Sequence, residues 1–264
     1  MHISHPSILG FLQDAAQIWK TYANAFLSSF ADDTRIGSEI ASHHDCEDLQ
    51  TDLDVVYEWT HTNNMELNAD KFECMRYGGN QDLKASTQYN WNTGSTLQEQ
   101  DHIKDLGVTT SNDGTFTEHI RHTVSAAKDQ CSWIFRTFFT KEATPMLTLW
   151  KSLVQYKFDY CSQLWSPTEK RDIQDIELVQ RSFLRKLQGL GHLSYWEQLC
   201  QLKMYSQERR RERYSIIYIW GMLEGHVPNI PFLDGGDKVK CKWHPRRGRE
   251  CVVPTVQRSA PQKI

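Results

Sequence analysis

Two adjacent carboxylates, Asp32 and Asp33, lie in the short segment SSFADDTRI (28–36). The apolar residues around them and Gly37 after them predict a strand, a turn and a second strand. A carboxylate in an apolar setting is costly unless a cation neutralises it. Mg²⁺ suits this role, because it binds one or two carboxylates and completes its shell with substrate phosphates. Adjacent aspartates are also common at turns, so the pair alone leaves a structural interpretation open.

A second set of candidates consists of arginines in the C-terminal half, within segments predicted to be helical. Arginine cations on a helix face can contact nucleic-acid phosphates, whose neutralisation dominates affinity. A solvated helix face explains the run RRRER (209–213) equally well. The candidates are Arg181, Arg185, Arg209, Arg210, Arg211 and Arg213.

Histidines and cysteines give weaker candidates. His43, His44 and Cys46 are too close together for a tetrahedral zinc site without distant ligands. A second group, Cys241 and Cys251 with a histidine between them, lacks an obvious fourth ligand. The seven cysteines contain no C-x-x-C pair, which predicts reduced, buried thiols of an intracellular protein.

The elements that must position these residues change in type along the chain. Apolar spacing predicts an amphipathic helix over 7–28 and another over 45–61, and short strands are expected at 65–74, 86–91 and 102–108. Beyond 115 the pattern is helical throughout, and one apolar stripe is formed by Ile120, Val124, Ala127, Cys131, Ile134 and Phe138. Ser166 with Glu169, and Ser194 with Glu197, have the spacing of capping boxes, and the nine tryptophans are expected to fill helical cores. The predicted helices are 117–139, 145–158, 167–188, 195–202 and 206–224.

Composition predicts a globular protein that is not embedded in a membrane, and the first thirty residues lack the pattern of a secretory signal, so secretion is not expected. The 264 residues are 39% hydrophobic and 24% charged, and no run approaches the ~20 apolar residues of a membrane span. Residues 1–120 contain 6 basic and 19 acidic residues, whereas 121–264 contain 24 and 14. An acidic half joined to a basic half is consistent with carboxylates for a metal and cations for a polyanion.

The carboxylate segment resembles the palm hairpin of non-LTR retrotransposon (LINE-type) reverse transcriptases, where an aromatic-Ala-Asp-Asp tetrad carries two metal-binding aspartates. NNMELNADKFECMRYGG (63–79) is similar to the next palm block, and HIKDLGV (102–108) to the block after it. The resemblance covers about 28–230. Further segments recur in the same order in jockey-like elements, namely TEHIRHTVSAAKDQCSWIFRTF, LTLWKSLVQYKFDYCSQLWSP, IQDIELVQRSFLRKLQGL, LSYWEQLCQLKMYSQERRRERY and IIYIWGMLEG.

The resemblance implies two-metal nucleotidyl transfer by an RNA-directed DNA polymerase. Asp32 and Asp33 would bind Mg²⁺ or Mn²⁺, and Lys71 would donate a proton or contact a phosphate. Leu106 and Gly107 would lie at the primer grip. The helices after 117 would form the thumb, which holds the RNA template and DNA primer while dNTPs are added.

The implied fold is α+β, with a partial reverse-transcriptase palm followed by an all-helical thumb-like region. The expected segments are a helical stretch unlike the family (1–27), the partial palm (28–114), the helical region (115–225) and an irregular basic tail (226–264). The family also needs an earlier palm aspartate and fingers, and the only carboxylate before Phe30 is Asp14, in a helical context. We therefore expect the chain to be inactive alone. The alternatives are a non-catalytic nucleic-acid-binding remnant and a fragment that folds poorly.

Overall fold

The computed structural model describes residues 25–30, 33–63, 72–78, 81–91 and 95–226. Within these residues it contains six short strands and nine helices, which confirms the α+β class. The strands are β1 (Phe26–Phe30), β2 (Asp33–Gly37), β3 (Asn90–Trp91), β4 (Ser95–Thr96), β5 (His102–Asp105) and β6 (Val108–Ser111). The helices are α1 (His43–Thr62), α2 (Gln81–Ser86), α3 (Thr117–Thr137), α4 (Ala143–Leu153), α5 (Gln155–Asp159), α6 (Ser162–Trp165), α7 (Lys170–Arg185), α8 (Tyr195–Leu202) and α9 (Gln207–Leu223).

The strands form three separate antiparallel pairs, β1–β2, β3–β4 and β5–β6, rather than one sheet within the described residues. The chain as a whole comprises two compact units, Met1–Gln207 and Glu208–Ile264. The segment boundaries expected from the sequence stay predictions.

Helix α1 confirms the predicted helix at 45–61 and extends slightly beyond it at both ends. A capping box begins it: the Ser42 hydroxyl accepts from the Asp45 N–H, and the Asp45 carboxylate accepts from the Ser42 N–H. Hydrogen bonds from the backbone of Ala41 and Ser42 lower the pKa of Asp45. The buried face of α1 presents Val56 to Trp91 of β3.

A small apolar cluster therefore joins the first hairpin to α1 and β3. Val56 and Trp91 are its buried members, and Ile36 of β2 packs against them. The Trp91 ring meets Tyr57 edge-on at 5.5 Å and Phe72 at 4.4 Å between centroids. This cluster fixes the hairpin that carries Asp33 to the rest of the acidic half.

The larger core lies among helices α3 to α8. The stripe predicted on α3 is buried from Ile120 to Ile134, and it packs on α7. Burying aliphatic side chains of this size contributes roughly 1.5–3 kcal/mol each. Among the tryptophans expected in cores, Trp150 and Trp165 are fully buried, whereas Trp133, Trp196 and Trp220 are 44%, 64% and 45% exposed, so that expectation is wrong for these three.

A network of buried amides crosses this core. Gln207 and Gln155 pair reciprocally, with Nε2–Oε1 distances of 2.9 and 3.1 Å. The second N–H of Gln207 donates to Gln180, whose own Nε2 donates to the Tyr205 carbonyl at 3.0 Å. The Trp150 indole N–H donates to Gln155 Oε1 at 3.0 Å. Because buried polar groups must be satisfied, this network constrains how α4, α5 and α7 pack.

His119 connects the β5–β6 hairpin to α3. Its Nδ1 accepts from the Thr109 backbone N–H at 3.3 Å, and its ring meets Trp165 at 5.2 Å. Burial lowers the pKa of His119, and the nearby charges of His122 and Lys104 lower it further. The neutral imidazole is therefore the form that holds this junction together.

Several predicted boundaries are wrong. The N-terminal helix cannot extend to 28, because Phe26 pairs with Gly37 in the β1–β2 ladder. Residues 86–91 are mostly helix end and connection, with only β3 extended. Of the strand expected at 65–74, residues 65–71 lie outside the described residues, and 72–74 contain one bridge, at Cys74. The helix expected at 145–158 divides at Val154 into α4 and α5.

The two predicted capping boxes have different outcomes. The box at Ser194 and Glu197 begins α8 as expected, with both hydrogen bonds present. Ser166 caps no helix, because α7 begins only at Lys170. Ser166 precedes Pro167, whose ring favours an extended conformation in the residue before it, and Ser166 ends α6 with ψ 120°.

No helix among the described residues is long and apolar enough to cross a membrane. Five cysteines fall within the described residues, and all are free thiols. Cys46 and Cys131 are buried, and burial raises the pKa of Cys131 to about 12. Cys161 and Cys200 are exposed, so the expectation of buried thiols is wrong for them.

Candidate nucleic-acid site

The predicted strand–turn–strand around the aspartates is an antiparallel hairpin. Strands β1 and β2 pair in register from Phe26 opposite Gly37 to Phe30 opposite Asp33. Asp33 therefore begins β2 at the tip of the hairpin, and it is exposed. Asp32 lies outside the described residues, and so does Lys71.

An ion pair connects this hairpin to the β5–β6 hairpin. Arg35 Nη2 lies 2.6 Å from Asp105 Oδ1, and the two side chains are 45% and 35% exposed. Residues two apart on a strand share a face, so Arg35 extends from the same side of β2 as Asp33. The pair thereby brings the hairpin of Asp33 against the strand end that precedes Leu106.

Leu106 and Gly107 form the tight turn between β5 and β6. Their φ angles of 44° and 85° are both positive, as two-residue hairpin turns of type I′ require. The sequence predicts one strand over 102–108, and that prediction is wrong because the chain reverses at this pair. The reversal leaves Leu106 partly exposed at the hairpin tip.

Tyr160 holds this turn from the helical region. Its hydroxyl donates to the Leu106 carbonyl at 2.7 Å, and its ring lies where a side chain on Gly107 would meet it at 3.4 Å. Glycine is therefore favoured at 107 both by its positive φ and by this close approach. The turn predicted as the primer grip is thus fixed on two sides, by Asp105 and by Tyr160.

The carboxylates near the hairpin tip determine whether it could hold a metal. Asp33 supplies oxygen donors of the kind that Mg²⁺ prefers. Asp105 is already neutralised by Arg35. The described residues contain no group of three His, Cys, Asp or Glu side chains that could hold a metal ion. The described donor set alone is therefore too small for a two-metal centre.

The zinc candidates gain no support from their surroundings. His44 lies near two carboxylates of its own helix, 3.9 Å from Glu47 and 3.8 Å from Asp48, with all three side chains largely exposed. Cys46 faces the opposite way and is buried. The group at Cys241, His244 and Cys251 lies outside the described residues.

Two of the predicted phosphate-binding arginines lie on α7 in different surroundings. The Arg181 guanidinium lies 4.8 Å from the centroid of the Tyr195 ring, and its Nε is buried. Arg185, one turn further along, is exposed, and it forms no ion pair within the described part of the chain. Arg181 therefore braces α7 against α8, whereas Arg185 presents its cation to solvent.

The other four arginines lie on α9. Arg209 is exposed and pairs with a glutamate three residues on, at 3.0 Å. Arg210 donates to the Tyr214 hydroxyl at 2.7 Å and lies over its ring. Arg211 is only 5% exposed, while Arg213 is exposed. These four do not form one uniform solvated face, and their contacts with phosphate stay a prediction.

The residues that sequence reasoning missed are those that connect elements. Arg35 and Asp105 are seventy positions apart, and neither lies in a motif that marks an ion pair. Tyr160 reaches a turn fifty-four positions away. Gly107 was the one available signal in the sequence, since a glycine after a strand pattern is typical of a hairpin turn.

Comparison of the chain with known protein families, with curated proteins and with solved structures returned no match.

Proposed function

We propose that this chain is the palm and thumb portion of a non-LTR retrotransposon reverse transcriptase, and that it holds an RNA–DNA duplex. The blocks from SSFADDTRI to IIYIWGMLEG suggest the family. The observation that best supports the proposal is the Arg35–Asp105 ion pair. It joins the hairpin of the candidate catalytic aspartate to the hairpin of the candidate primer grip.

Both candidate residues lie near the ion pair that joins the hairpins. Asp33 is two residues from Arg35, and Leu106 is one residue from Asp105. The ion pair therefore connects the two hairpins close to both of their tips. A primer whose last nucleotides rest on the Leu106–Gly107 turn would then end near Asp33.

The chain's own residues have distinct parts in this proposal. Leu106 and Gly107 support the primer strand, and Tyr160 keeps their turn in place through its hydrogen bond to the Leu106 carbonyl. Arg185 supplies a cation for a phosphate of the duplex, and the exposed Arg209 and Arg213 of α9 are separate candidates for phosphate contacts. In the family, metal ions bound by palm aspartates activate the primer hydroxyl and stabilise the leaving pyrophosphate. Asp33, with Asp32 before it, is the candidate for that position.

Primer extension on an RNA template, with Mg²⁺ or Mn²⁺, tests the polymerase part of the proposal. The matched variants are Asp33→Asn and Asp82→Asn, because Asp82 is an exposed aspartate on α2 of the same region. Extension that only Asp33→Asn abolishes would support catalysis at Asp33. Equal extension by both variants would refute the role of Asp33.

A second candidate function is binding without catalysis, and the small donor set around Asp33 favours it. It predicts that folded protein binds the hybrid but extends no primer. The same preparation answers both questions when hybrid binding is measured beside extension. Failure to bind at all would refute both candidates.

A further inference from the structure

The connection between α3 and α4 carries an aromatic ring in full contact with solvent. Phe139 is 98% exposed, the largest value among the large apolar side chains that the structure describes. Its neighbour Phe138 packs partly against the helical core and meets Trp133 edge-on at 6.1 Å. Phe139 therefore projects from a backbone that Phe138 fixes. Exposing a phenylalanine so completely has no benefit for folding.

Two cations flank this ring in the sequence, and a third lies on the adjacent connection. Arg136 and Lys141 flank it in sequence, and Lys186 lies across the gap, with its Nζ 5.1 Å from the centroid of Phe135. A backbone hydrogen bond of 2.8 Å from Gln188 to the Lys141 carbonyl holds the two connections side by side. None of the three cations forms an ion pair within the described residues.

The surface around Phe139 is consequently basic. Glu142 is the one acidic residue in the stretches 133–142 and 183–192. It lies at the N-terminal end of α4, where the helix dipole already stabilises its negative charge. The exposed hydroxyls of Thr137 and Thr140 flank the ring and are of the type that hydrogen-bonds to phosphate. Charge complementarity thus indicates a polyanion.

We infer that this surface, formed by Phe139, Arg136, Lys141 and Lys186, binds single-stranded nucleic acid by stacking a base on the Phe139 ring. In a duplex both faces of each base are already stacked, so only an unpaired base can offer a free face to Phe139. The cations contact the backbone on either side of that base. One exposed ring among cations and hydroxyls is also a poor match for a membrane surface, which favours a broad apolar helix face.

The Phe139 surface is separated from the β5–β6 hairpin of the proposed duplex site by the length of α3, whereas Arg185 of that site is adjacent to Lys186. The N-terminal end of α3 contacts the β5–β6 hairpin through His119, and its C-terminal end leads into Phe139. The 21 residues of α3 span about 30 Å at 1.5 Å per residue. That length corresponds to about nine nucleotides of one strand at 3.4 Å each. A strand that leaves the duplex at the β5–β6 hairpin would therefore reach Phe139 after about nine nucleotides, a length close to one turn of a duplex.

Fluorescence anisotropy with a labelled oligo-dT strand of about 16 nucleotides, and with a blunt duplex of equal length, tests the inference. Phe139→Ala should weaken strand binding by about 5- to 150-fold, the range for loss of one base–aromatic stack. It should change duplex binding by less than about twofold. Phe139→Trp should retain strand affinity. Lys141→Gln should reduce the salt slope of strand binding by about 0.7.

Trp196→Ala is the matched control, because Trp196 is also a large exposed aromatic, at 64%, on a different helix. It should leave strand affinity unchanged. Unchanged strand binding by Phe139→Ala, or an equal loss for strand and duplex, would overturn the inference. So would Phe139-dependent binding to phosphatidylserine vesicles without strand binding. If the wild-type protein binds the single strand but not the duplex, the proposed function is refuted and this inference is still supported.

Discussion

Replacing Gln180 by alanine should destabilise the helical region by about 3–4 kcal/mol. Gln180 is fully buried on α7, where it accepts from Gln207 and donates to the Tyr205 carbonyl at 3.0 Å. Losing two hydrogen bonds costs about 1 kcal/mol each in net terms. The unsatisfied amide N–H and the void left by the missing side chain add roughly 1–2 kcal/mol more.

The measurement is urea unfolding followed by tryptophan fluorescence, since Trp150 and Trp165 are buried in the same core. With a slope of about 2–3 kcal/mol/M, the midpoint should fall by about 1–2 M without a change in slope. Gln188→Ala is the control, because Gln188 is exposed in the turn after α7 and only its backbone N–H is bonded. That substitution should stay within about 0.5 kcal/mol.

Equal midpoints for Gln180→Ala and Gln188→Ala would refute the reasoning. They would mean that the amide network makes no net contribution to the free energy of unfolding, because repacking around the alanine compensates for the lost hydrogen bonds. A changed slope would instead mean that the variant alters the compactness of the native or unfolded state.

Two other predictions concern the junctions around the β5–β6 hairpin. Because the pKa of His119 is lowered in the fold, the unfolded chain takes up its proton first, so stability should fall as pH drops below about 6.5. His119→Asn, which keeps an acceptor for the Thr109 N–H, should lose less stability between about pH 7 and pH 5 in urea unfolding, and an identical loss would contradict the assignment. Arg35→Glu and Asp105→Arg should each weaken hybrid binding by up to about fivefold, as expected of a partly exposed ion pair, and the double exchange should restore it. Additive losses in the double variant would exclude the ion pair as the link between the hairpins.

Local patterns in the sequence predicted the helical part of the fold well. The stripe from Ile120 to Ile134 identified the buried face of α3, because helical periodicity reports directly which residues meet a core. The Ser194 capping box located the start of α8. Both features depend only on residues within a few turns of each other.

Strand boundaries and site geometry were less accessible, because they depend on distant residues. The turn at Leu106 and Gly107 divides one predicted strand into two, and its position is stabilised by Tyr160, far along the chain. The hairpin around Asp33 was predicted, yet its link through Arg35 to Asp105 had no local signal. The exposure of Trp133 was not predicted either, because a tryptophan is typical of a core but this one lies on the outer side of α3.

The most direct test of the central claim is the affinity of the wild-type chain for an RNA–DNA hybrid over a series of salt concentrations. We expect the logarithm of the association constant to fall linearly and steeply with the logarithm of the salt concentration, with a slope of about 0.9 per neutralised phosphate of a duplex. Arg185→Gln should reduce that slope by about one such contact. Folded protein that fails to bind the hybrid, or binds it with no dependence on salt, would contradict the claim.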